Sequence, residues 1–102
     1  MDSLDKDGMI QSRLVRIYGR VQGVGYREAC VHRARARGVT GWVRNRVDGS
    51  VEVMLQGSSE QLADMCNWLR DGISAAVVDK IKVTEMQPPL THFDDFDRLP
   101  TL

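Results

Sequence analysis

No stretch of this 102-residue chain approaches the run of ~20 apolar residues that a membrane span needs. Residues 1–11 are polar and acidic, without the apolar segment of a secretory leader. The expected setting is the cytoplasm, with no membrane partner. Cysteine is scarce. Cys30 and Cys66 fit no CxxC zinc or redox spacing, and both read as small buried hydrophobes, a disulfide being disfavoured in a reducing compartment. The histidines, His32 and His92, lie far apart, and Ser50, Ser58 and Ser59 have no histidine beside them. No His, Asp, Cys or Glu cluster has metal-ligand spacing. A covalent or metal-assisted mechanism therefore has no visible parts, and neither metal nor cofactor is expected. Net charge is zero, so the molecule as a whole is no polyanion binder by charge alone.

What charge there is lies unevenly. Arginines fill the middle, from Arg13 to Arg46, against the single acid Glu28, while Asp2, Asp5, Asp7, Asp94, Asp95 and Asp97 collect at the ends. A positive middle would attract an anionic ligand. The size suits one domain, with no internal repeat or low-complexity segment. We divide it into an N-terminal tail (1–12), expected to be flexible, a folded domain (13–99) and a short C-terminal tail (100–102).

Residues 14–18 alternate and are β-rich, which predicts a strand with Val15 and Ile17 on its core face. Residues 26–37 lack proline, carry Ala29, Ala34 and Ala36, and meet Gly38, which predicts a helix with a glycine C-cap. A second strand is predicted over 41–47, a turn at Asp48-Gly49, and a third strand over 50–56. Gly57, Ser58 and Ser59 break that strand and offer N-caps for a helix over 60–71, whose apolar stripe includes Leu62, Met65, Cys66 and Leu69. Residues 78–86 predict a fourth strand with Ile81 and Val83 inward, stopped by Pro88-Pro89. Phe96 to Leu99 is ambiguous and would at most add a short fifth edge strand. The order β-α-β-β-α-β, with strands apolar on one side, predicts an α+β, ferredoxin-like sandwich: an antiparallel four-stranded sheet with two helices on one face.

The most informative stretch is Gly19-Arg20-Val21-Gln22-Gly23-Val24-Gly25-Tyr26-Arg27, a glycine-bearing turn between a strand and a helix. Such a turn leaves backbone N–H groups without partners at the positive end of a helix dipole, a ready anion site. Arg27 adds a planar guanidinium fork that matches phosphate. The loop lacks the Gly-Lys-Ser/Thr ending of a nucleotide-binding P-loop and the full GxGxxG dinucleotide spacing.

A second clue is Asn45. By alternation Val43, Asn45 and Val47 share one face of the second strand, and Trp42, Arg44 and Arg46 the other, so an amide sits in an otherwise apolar row. Parity alone prefers a structural hydrogen bond to a loop or bulge over a grip on a ligand or water, since most side-chain hydrogen bonds serve structure.

That glycine stretch, followed by Gly41-Trp42-Val43-Arg44-Asn45 and Asp48-Gly49-Ser50-Val51-Glu52, closely resembles the two signatures of the acylphosphatases. The resemblance extends over about residues 13–99. Tyr26 stands where phenylalanine is commoner and Val39 where leucine is usual, both conservative changes. The acidic end, Asp94-Asp95-Phe96-Asp97-Arg98, departs from the family's last strand. The resemblance implies hydrolysis of acyl phosphates to carboxylate and phosphate without a metal. It implies that Arg27 and the N–H groups of Gln22, Gly23, Val24, Gly25, Tyr26 and Arg27 bind the phosphoryl group, and that Asn45 orients the attacking water. The partners it implies are a small acyl phosphate and inorganic phosphate as product and competing ligand, with a monomer as the default.

Two rivals remain at this level. A nucleic-acid module of the same fold would use the arginines on a phosphate backbone, but it needs exposed strand aromatics, and residues 51–55 have none. No nucleic-acid partner is therefore expected. A carbamoyl-phosphate-processing domain would use the same loop, but it comes with large following domains and zinc-type cysteines that this chain lacks.

Overall fold

The computed structural model describes residues 9–102. Its elements follow the predicted order: β1 Gln11–Arg20, α1 Tyr26–Ala36, β2 Thr40–Asn45, β3 Val51–Gly57, α2 Ser59–Asp71, β4 Val77–Glu85 and β5 Phe96–Arg98. The sheet runs β4-β1-β3-β2-β5. The first four strands pair antiparallel, and β5 joins β2 in parallel, with Val43 opposite Arg98. The ambiguous C-terminal run is thus a real fifth strand, and the fold is the expected ferredoxin-like α+β sandwich with one more strand than the minimum. β1 begins at Gln11, inside the stretch assigned to the tail; residues 1–8 of that tail lie outside the described residues.

Alternation decides the two faces. Val15 and Ile17 of β1, Val43 of β2, and Val51, Val53 and Leu55 of β3 are fully buried beneath the helices. From the helices, Tyr26, Cys30 and Ala34 of α1 and Leu62, Met65 and Leu69 of α2 meet them. Both cysteines are buried and free, as expected. Burial pushes the Cys30 thiol far up, so it stays protonated and inert. Ile81 is half-buried, whereas Val83 is exposed, contrary to expectation. Val83 lies opposite Val15 but on an edge strand, where the helical layer no longer covers the sheet.

The ends of the helices are set locally. Ser58 and Gln61 form a capping box: the Gln61 N–H donates to Ser58 Oγ, and the Ser58 N–H donates to Gln61 Oε1. At the end of α1 the Val39 N–H returns to the Ala34 carbonyl while Gly38 takes φ +72°, the expected glycine stop.

The arginine-rich middle does not converge on one place. Arg16, Glu52 and Arg44 lie opposite one another across β1, β3 and β2 on the helix-free face. There the buried Glu52 carboxylate is shared by Arg44 at 2.8 Å, Arg46 at 3.3 Å and Arg16 at 3.7 Å. Arg33 and Arg37 pair with Asp64, and Arg35 with Asp95 and Asp97. Most arginines of the positive middle are thus engaged with carboxylates dispersed over the molecule. No helix among the described residues is long and apolar enough to cross a membrane.

Candidate active site

Residues 21–25 leave β1 and enter α1 through two glycines in the left-handed region, Gly23 at φ +75° and Gly25 at φ +80°. Nothing lies within 4 Å of a Cβ built at either position, so the backbone conformation, not crowding, calls for glycine. Gly25 is the residue before the first turn of α1 and supplies no side-chain cap. Among the described residues, none of the backbone N–H groups of residues 22–27 donates to a protein acceptor. Those donors surround the positive end of α1.

The loop is held in this shape by a neighbouring turn. The Gln22 amide donates through Nε2 to the carbonyls of Arg46, at 2.7 Å, and Ser50, at 2.8 Å. It therefore ties the glycine turn to the turn between β2 and β3. That turn is braced in its own right: Asp48 Oδ1 accepts from the Ser50 N–H and hydroxyl, and Gly49 takes φ +94°. Tyr26 fixes the start of α1, its hydroxyl donating to the Leu69 carbonyl at 2.6 Å. Burial pushes the Tyr26 phenol far above its ordinary range, so it stays neutral.

A pocket of about 90 Å³ opens where these parts meet. Its floor and sides are Val21, Gly23, Gly25 and Tyr26, with Arg27, Glu28, Asn45 and Arg98 around them. It is roomy enough for a tetrahedral oxyanion. Among the described residues Arg27 makes no hydrogen bond and no ion pair, unlike most arginines of the chain's middle.

Asn45 ends β2, with Val51 opposite it. Val47, expected on the same apolar row, lies beyond the strand and is 86% exposed. The amide thus terminates an apolar row instead of interrupting one. Asn45 is only 9% exposed, and its Oδ1 is buried without a partner among the described residues. A structural hydrogen bond to a loop or bulge, the preferred reading from alternation, is therefore not what that oxygen makes. Native proteins keep very few such atoms, because each costs about 1–3 kcal/mol.

Of the residues singled out in the sequence, Gly23, Gly25, Tyr26, Arg27 and Asn45 line one pocket. Gln22 and Val24 do not line it: the Gln22 amide is spent on the β2–β3 turn, and Val24 packs against the core. Glu28 and Arg98 line it and were not foreseen. Arg98 Nη1 donates to Glu28 Oε1 at 2.5 Å. The pattern of alternate residues in β5 carried the signal, since Phe96 and Arg98 share a face, but it was unusable while β5 was uncertain. No group of three or more His, Cys, Asp or Glu among the described residues is placed to hold a metal ion.

Comparison with known proteins agrees with this geometry. The acylphosphatase family model matches residues 14–98. An acylphosphatase of Polaromonas naphthalenivorans is 65% identical over 96% of this chain and 97% of its own length. Acylphosphatase 1 of Ralstonia nicotianae is 63% identical over 89% of each chain. The solved structure of an acylphosphatase from Coxiella burnetii superposes with a TM-score of 0.84 at 29% identity, covering 92% of this chain and 97% of that one. A family match that spans β1 to β5, together with relatives alike along almost their whole length, makes this chain a member of the acylphosphatase family.

Proposed function

We propose that this protein hydrolyses the carboxyl-phosphate bond of acyl phosphates by direct attack of water. The loop N–H groups and Arg27 bind the phosphoryl oxygens, and Asn45 orients the water. The observation that carries the reading is the buried Asn45 Oδ1, without a partner among the described residues, in the same pocket as N–H groups and an Arg27 that are likewise without partners among them. Among those residues an acceptor without a donor sits beside donors without acceptors. A phosphoryl group supplies oxygens for the donors, and a water supplies a proton for the Asn45 acceptor.

The chemistry needs little else. The water oxygen forms a bond to phosphorus while the bond from phosphorus to the acyl oxygen breaks, its electron pair leaving with the carboxylate. A carboxylic acid has a pKa of about 4, so this leaving group departs unprotonated at neutral pH and needs no general acid. Charge in the loose transition state spreads over the equatorial phosphoryl oxygens. Prearranged N–H donors and one guanidinium stabilise that charge without reorganising. A neutral amide positions water beside a phosphate dianion without the repulsion a carboxylate base would bring. The water's proton passes to a phosphate oxygen or to solvent, since an amide does not hold it.

All these groups come from one chain, so the reading works for a monomer, and a small soluble substrate suits a cytoplasmic enzyme. The test is phosphate release from a simple acyl phosphate in excess chelator. Turnover unchanged by the chelator is expected; loss that added metal restores would overturn the metal-free mechanism.

A further inference from the structure

We propose that Arg98 is a positioning residue of this pocket, acting by holding the Glu28 carboxylate away from the bound phosphate. The inference rests on the phosphate reading given above. Among the described residues Glu28 is the one acid in the pocket wall, in the first turn of α1. The helix dipole favours a carboxylate there when the pocket is empty. Once phosphate occupies the same end of the helix, that carboxylate repels it. A phosphate pocket with a bare glutamate in its rim works against itself.

The fold brings the remedy from 70 residues away. Parallel pairing sets Arg98 beside Val43, and alternation puts it on the face of the buried Phe96, toward the helical layer. The guanidinium then meets Glu28 at 2.5 Å. With Arg98 49% and Glu28 70% exposed, the pair adds little to stability. Its consequence is electrostatic. Among the described residues, Arg27 and Arg98 against Glu28 leave the wall with one net positive charge, which favours an anion.

The experiment titrates inorganic phosphate calorimetrically into the unsubstituted protein, R98M, E28Q and E28Q/R98M at low ionic strength, with KM and kcat for an acyl phosphate measured alongside. R98M is expected to weaken phosphate binding roughly fivefold, the size of one exposed ion-pair interaction. E28Q is expected to tighten it by a similar factor, and E28Q/R98M to return near the starting value. The R98M loss falls on KM more than on kcat, and high salt shrinks it. A role in stability alone would not be rescued by removing Glu28. R98K, which keeps the charge, should bind like the unsubstituted protein, so R98K and E28Q decide the matter if R98M does not fold. Unchanged binding in R98M overturns the proposal. So does a double variant as weak as R98M, which would make Arg98 a direct phosphate ligand. Failure of the unsubstituted protein to bind phosphate at all would sink the phosphate reading itself, an outcome distinct from either.

Discussion

The Tyr26 hydroxyl closes the end of α2: it donates to the Leu69 carbonyl at 2.6 Å, at a position where the helix supplies no N–H. One buried hydrogen bond thus joins the start of the helix that follows the glycine loop to the end of the helix beside it. Tyr26→Phe keeps the ring and removes the bond. A loss of about 1–2 kcal/mol in unfolding free energy is expected, from a carbonyl left unpaired in the core. Urea denaturation measures it, and an unchanged midpoint would show that water or a shifted α2 satisfies Leu69 equally well.

Arg27→Lys keeps a positive charge yet should lose most of the activity. A phosphoryl group with three equatorial oxygens suits a planar fork, and an ammonium offers a point charge. A contact of this kind is worth roughly 2.7–4 kcal/mol in the transition state, or about 10²–10³ in kcat/KM. A folded variant with near-normal kcat/KM would remove Arg27 from the mechanism.

Asn45→Ala should separate turnover from binding. On the proposed division of labour, in which the loop and Arg27 hold the phosphate and Asn45 only the water, kcat should fall steeply while phosphate affinity changes little. Stability should hold, or rise by about 1 kcal/mol, because the substitution deletes a buried oxygen that has no partner among the described residues. Phosphate binding that weakens in step with kcat would place the amide on the phosphate instead.

Asp48 governs a pH effect. The Ser50 hydroxyl, then the Ser50 N–H and the nearby Arg16, hold its carboxyl below the ordinary carboxylate range. A depressed folded-state pKa gives stability that is present above the unfolded value, ~3.9, and is lost as pH falls through the folded one. Asp48→Asn should therefore lose stability near neutral pH and show a flatter decline below pH ~4. Urea midpoints across that range test this, and an acid decline as steep as in the unsubstituted protein would count against it.

The core strands and both helices were legible because local pattern and tertiary need agree there. Val15, Ile17, Val51, Val53 and Leu55 alternate as a one-sided sheet must, and every one is fully buried. The edges were less legible. Val83 alternates correctly but faces water, because burial at an edge depends on how far a helix reaches, which no strand pattern encodes. Val47 looked like an extension of β2 until the Asp48 turn claimed it. In the site, the loop and Arg27 were written contiguously, and Asn45 stood out by parity. Arg98 and Glu28 were hidden because their meeting depends on a parallel pairing between segments far apart in sequence. The use of the Gln22 amide on two carbonyls of another turn was equally invisible, since nothing local distinguishes a staple from a ligand contact.

The strand order has a kinetic consequence. β4 and β5 occupy opposite edges of the sheet, so residues 86–95 must carry the chain across its full width, about 19 Å for four strand spacings. They pass the helix-free face, where the Gln56 side chain binds the Thr91 carbonyl at 2.6 Å and the Phe93 N–H at 3.0 Å. β5 meets β2 across 55 residues, from Val43 to Arg98, farther apart in sequence than the partners of β1 and β3, and such non-local contacts form late and slowly. Arg98 arrives with that strand. The glycine loop, Arg27 and Asn45 can therefore assemble before the wall that Arg98 completes, and amide exchange at β5 would report when a folded chain becomes a finished pocket.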